Sequence, residues 1–141
     1  MSERYNENWS PSDLKELRES NLLKGRMKSA LRGKRGQKFL AELAKVLDEM
    51  PERKLTRDIV MDGPDVCALG AVCRARGLTV DSFCDDWDHD LAKQLGIPYP
   101  LVHAIAREND FGGYWLERDE ARWARMRAWV QRHCPATVGG A

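Results

Sequence analysis

The chain has no apolar run long enough to cross a bilayer. Its longest uncharged apolar stretches, Val66 to Cys73 and Ile97 to Ala106, fall far short. No apolar h-region opens the chain, because Met1 to Ser10 is polar, so Sec export is not expected and a cytoplasmic setting is. Neither charge sign dominates: 23 basic and 22 acidic residues leave a formal +1, so net charge points to no partner. The four cysteines, Cys67, Cys73, Cys84 and Cys134, form no CxxC pair, and the spacing is wrong for a zinc knuckle. There is no GxSxG, no P-loop and no GxGxxG. These absences exclude a membrane protein and remove every local signature of an enzyme. No metal and no cofactor is expected.

What remains is a chain of 141 residues with 43% hydrophobic and 32% charged residues, suited to one helical domain over residues 10–134. Residues 1–9 read as a mobile arm and 135–141 as a flexible tail. Ser10, Pro11 and Asp13 form a helix start with a capping box, and Trp9 and Leu14 occupy hydrophobic-staple positions. Leu14, Leu17 and Leu22 give that helix a thin apolar stripe, and Gly25 is its expected stop. A second helix is predicted from about Gln37 to Met50, with Leu40, Leu43, Ala44 and Leu47 at i, i+3, i+4 and i+7. Between Leu55 and Asp62 the pattern fits a helical turn or one very short strand near 57–61, followed by a turn at Asp62-Gly63-Pro64.

A third helix, Val66 to Arg76, is apolar nearly all round up to Cys73 and reads as the central element, with Asp65 as its cap. Shorter helices are expected over Leu91 to Leu95 and Pro100 to Asn109, and a last one over about Glu117 to His133. The fold class is all-α, an irregular bundle of five to seven short helices.

Charge is unevenly placed. Lys24, Arg26, Lys28, Arg32, Lys34, Arg35 and Lys38 are uninterrupted by an acid, and residues 24–36 read as a basic connecting segment. Such a segment can neutralise phosphates, or it can be a linker held open by its own repulsion. Asp81, Asp85, Asp86, Asp88 and Asp90 form an acidic run. Its alternating spacing suggests a calcium loop, but Leu91 and Ile97 stand where that loop needs glycine and a bidentate acid, so the acids are read as helix caps. On the last helix Trp123, Met126 and Val130 form the inner stripe. Arg118, Arg122, Arg125, Arg127 and Arg132 make its outside basic, and Trp129 lies off the stripe as a candidate protein-binding anchor.

Residues 91–109 resemble a helix-turn-helix unit. Ala92 suits a close helix crossing, Gly96 the left-handed turn, and Leu95, Ile97, Val102 and Ile105 the inner side. Tyr99, His103 and Arg107 would face outward on the expected recognition helix, of which Arg107 alone is a strong base reader. Cys84 with His89 or His103 is the one formal nucleophile–base option, and no motif orients them.

Four stretches taken together, Arg35 to Leu43, Val66 to Val72, Glu108-Asn109-Asp110 and Arg122 to Val130, resemble small uncharacterised proteins encoded by tailed phages and prophages. The resemblance spans about residues 32 to 131 and carries no catalytic residue. It implies a bacterial host cytoplasm and an accessory role. The expected function is non-enzymatic binding of a host protein or defence complex, including a nucleic-acid-guided one in the manner of an anti-CRISPR protein. The alternative is a nucleic-acid-binding regulator that uses the helix-turn-helix-like unit and the basic segment.

Overall fold

The computed structural model describes residue 8, residues 10–80 and residues 85–136. Six helices take up about two thirds of them. In order these are α1 (Pro11–Arg32), α2 (Lys34–Glu49), α3 (Ala68–Ala75), α4 (Trp87–Leu95), α5 (Tyr99–Phe111) and α6 (Asp119–His133). A hairpin of two-residue strands, β1 (Met61–Asp62) and β2 (Asp65–Val66), precedes α3, with Met61 opposite Val66. The all-α expectation holds; the one very short strand expected near 57–61 lies later, at Met61–Asp62, and is one arm of this hairpin.

Local chemistry explains most of the element ends. The Ser10 backbone N–H donates to Asp13 Oδ2 at 2.8 Å, and the Asp13 N–H donates back to Ser10 Oγ at 3.2 Å. That is the capping box, with Pro11 in the first turn. The staple residue Trp9 lies outside the described residues, as do Asp81 and Cys84 and most of the expected arm and tail. Gly96 closes α4 in the left-handed conformation (φ 68°, ψ 33°) and bonds back to Ala92 and Lys93.

Two boundaries differ from expectation. Gly25 does not stop the first helix, which runs on to Arg32. The residues beyond it, Lys, Arg, Met and Ala, are good helix formers, and Met27 and Leu31 dock on the core; together they outweigh one glycine at about 1 kcal/mol. Residues 24–36 are therefore not a connecting segment, and the break between α1 and α2 shrinks to Gly33. The cap of α3 is Cys67, whose Sγ accepts from the Gly70 N–H at 3.4 Å; Asp65 is taken into β2.

The core forms around α3. Every residue from Val66 to Cys73 is buried, so the apolar rod is wrapped as its composition required. α2 contributes Leu40, Leu43 and Leu47, and α5 contributes Leu101 and Ile105, all fully buried. Gly70 is needed for close packing: a Cβ there would strike the Val60 carbonyl. Gly36 is needed for the same reason against the Ala30 carbonyl. No helix among the described residues is long and apolar enough to cross a membrane.

Candidate functional site: an aromatic loop on a buried arginine frame

The last helix turns Arg122, Arg125 and Arg127 inward. Arg122 is 4% exposed. Its Nη1 donates to the Leu55 carbonyl and to Asp119 Oδ1, both at 2.8 Å, and its Nη2 donates to the Glu117 carbonyl at 3.2 Å. Arg125 forms a bidentate pair with Glu117 at 2.8 and 2.9 Å. It also donates to the carbonyls of Glu108 (2.7 Å) and Asn109 (3.1 Å) and to Glu108 Oε1 (3.1 Å). Arg127 is buried against Asp48 at 2.8 Å.

The arginine face expected to be open is thus largely internal; Arg118 and Arg132 stay exposed. Trp129 is buried as well, so it is no surface anchor. Charge on these side chains is tolerable inside because each has a carboxylate partner, and Arg122 and Arg125 donate to backbone carbonyls as well. The Arg125 guanidinium, helped by Arg122, holds the Glu117 carboxyl below the usual glutamate range despite burial.

That frame carries the segment between α5 and α6. Gly112 and Gly113 lie directly on the Arg125, Glu108 and Glu117 side chains, where a Cβ on either would collide. On either side of them the chain lifts apolar side chains into solvent. Phe111 and Tyr114 are each 67% exposed, Trp115 is 69% and Leu116 is 59% exposed. The Tyr114 and Trp115 rings lie 6.0 Å apart. The Arg57 guanidinium sits 5.2 Å from the Phe111 ring centre and reaches toward the Trp115 carbonyl.

A second set of polar contacts fixes the base of the same segment. Asn109 is fully buried; its Oδ1 accepts from the Ala68 N–H at 3.1 Å, and its Nδ2 donates to the Thr56 carbonyl at 2.9 Å. Asp110 Oδ1 accepts from the Asp58 N–H at 3.0 Å. The Glu108-Asn109-Asp110 run and Arg122 and Arg125 of α6 are therefore parts of this frame.

The remaining candidates lie elsewhere. Arg26, Lys28, Arg32, Lys34, Arg35 and Lys38 are exposed at the α1–α2 junction, with Lys24 half-buried beside them. Arg35 donates to the Gly96 carbonyl at 2.6 Å and so complements the end of α4. The helix-turn-helix-like residues pack as expected: Ala92, Leu95, Ile97, Val102 and Ile105 are all buried. However, α5 contacts α1, α3, α4 and α6. A recognition helix needs a wide free face, and α5 keeps little of one. Tyr99 donates to Asp88 Oδ2 at 3.1 Å and stacks on His89 at 4.1 Å, with His103 edge-on at 5.8 Å. Of the three outward residues, Arg107 alone is exposed.

Among the described residues no three His, Cys, Asp or Glu side chains gather as a metal site needs. Burial pushes the Cys67 thiol up to about 12 and the Cys73 thiol to about 11, the wrong direction for a nucleophile. The chain matches no protein-family model, no curated protein and no solved structure.

Sequence reasoning gave Phe111 and Tyr114 no binding role and set Leu116 with the inner stripe of the last helix, whereas it lies exposed ahead of α6. The signal was present: four large apolar residues in six positions, broken by a glycine pair, between two polar helix ends. Such a run is expected to bury itself, and only the arginine frame beneath it shows why it does not.

Proposed function

We propose that the chain is a non-enzymatic accessory protein of phage type that works by docking on a protein of the host bacterium, a host enzyme or a defence complex. The observation that carries this reading is the exposed Phe111, Tyr114, Trp115 and Leu116 set on a rigid polar base. Large aromatic groups held outward at no further ordering cost are the usual anchors of protein interfaces. A loop that served the fold alone would turn these rings onto the core, since exposing them forfeits roughly 1.5 to 3 kcal/mol each. The Cys67 and Cys73 thiols support the non-enzymatic part, because neither is poised for attack.

The test is capture from bacterial lysate with the full chain as bait, alongside a Tyr114→Ser, Trp115→Ser double variant. The reading expects one stoichiometric protein partner that survives nuclease treatment and is lost with the double variant. Equal capture by both baits refutes it.

A further inference from the structure

α1 leaves an open groove where its C-terminal half crosses α5 and meets the end of α6, with a volume of about 770 Å³. Lys28 and Arg107 are exposed on its walls and His133 stands at one end. One carboxylate lines it, that of Glu108, and this already accepts from Arg125. At the other end the groove runs into Phe111, whose ring is two-thirds exposed. A neighbouring groove of about 710 Å³ carries Arg26, Lys34 and Arg35 and no carboxylate. Cations of one sign, facing a cleft with no free counter-charge, are an electrostatic cost to the fold that an anionic ligand would relieve.

Gly25 adds an independent observation. It sits inside the 22-residue α1 and lines both grooves. A Cβ there would meet nothing within 4 Å, unlike Gly36 or Gly70. A glycine inside a helix costs about 0.5 to 1 kcal/mol relative to alanine. No contact within the fold requires it. What a missing side chain does supply is room for a ligand backbone to lie against the helix.

We infer that the groove between α1 and α5 binds single-stranded nucleic acid, with phosphates on Lys28 and Arg107, the backbone passing Gly25, and a base on Phe111. Cations beside an exposed aromatic ring suit strand binding, because every base has a face to stack. A duplex is too wide and stiff to enter a cleft between two packed helices, and an acidic peptide would make no use of the ring. This site does not rest on the docking role of the loop, although the two surfaces meet at Phe111.

The experiment is fluorescence anisotropy of a labelled oligo-dT of about twelve nucleotides titrated with the full chain. With the two phosphates on Lys28 and Arg107 engaged, a single-strand slope near −1.4 weakens binding about sevenfold between about 50 and about 200 mM salt. Lys28→Glu with Arg107→Glu should weaken binding at least about tenfold and flatten that slope. Lys15→Glu, at the exposed far end of α1, should leave it unchanged. Gly25→Leu should lower affinity at least about fivefold while thermal stability stays level or rises.

Absence of binding at the lower salt, an equal loss with Lys15→Glu, unchanged affinity in Gly25→Leu, or better competition by polyglutamate or by a duplex than by unlabelled strand each overturns the proposal. If the strand fails to bind while the Tyr114, Trp115 variant still loses its captured protein, the groove assignment falls and the docking reading stands.

Discussion

Arg125→Met separates the frame from the loop it supports. Methionine keeps the bulk of the stem and removes the guanidinium. Glu117, with a side chain only 10% exposed, then loses both short bonds and keeps Arg122 Nε at 3.5 Å. At the end of α5 the Asn109 carbonyl loses the Arg125 donor, and the Glu108 carbonyl loses it too but keeps the Gly112 N–H at 3.0 Å. Removing one partner of a buried ion pair costs about 3 to 5 kcal/mol. The surviving Arg122 contact and the 18% exposure of Arg125 place this case at the lower end, about 3 kcal/mol.

For a chain of this size each kcal/mol moves the midpoint by about 3 to 5 °C, so Tm should fall by roughly 10 °C. Calorimetry and urea unfolding measure both figures, with Arg132→Met as the exposed control on the same helix. A loss under about 1 kcal/mol, or one no larger than that of the control, refutes the claim that this arginine holds the loop in place.

Further outcomes follow from the same contacts. Asn109→Leu strands the Ala68 N–H and the Thr56 carbonyl in the interior and should cost about 2 to 4 kcal/mol in urea unfolding. Asn109→Asp sets a buried carboxylate beside Asp110, which raises its pKa, so its penalty relative to wild type should shrink as pH drops from about 7 to about 5.

Glu117 and Glu42 are both held below the ordinary glutamate range, chiefly by hydrogen bonds from Arg125 and Arg76. Their stabilisation is therefore complete above about pH 4.3 and is lost as pH falls through the lower folded values. Calorimetry should show Tm falling in that acid range, with a shallower fall in Arg125→Met. Gly25→Ala should raise stability by about 0.5 to 1 kcal/mol. Gly36→Ala should lower it by more than about 2 kcal/mol, because its Cβ meets backbone that cannot swing away.

Local spacing was enough for the existence of the helices and for part of their punctuation. The capping box at Ser10, the stripe of α2, the buried rod before Cys73 and the left-handed Gly96 each depend on residues within about four positions of one another. Gly25 was misread as a stop because its local penalty is small and the docking of Met27 and Leu31 on the core is not visible locally.

The fate of the charged and aromatic side chains was decided at long range. Arg122 reaches a carbonyl 67 residues away, and Arg127 a carboxylate 79 residues away. Arg26 and Arg32, the same residue type on an equally regular helix, find solvent. Amphipathic spacing assigns an arginine to the outside by default, since burial is ruinous without a partner, and that partner exists only once distant segments meet. The same assembly seated Gly112 and Gly113 on the ion pairs and so turned Tyr114 and Trp115 outward, against what their hydrophobicity alone would direct.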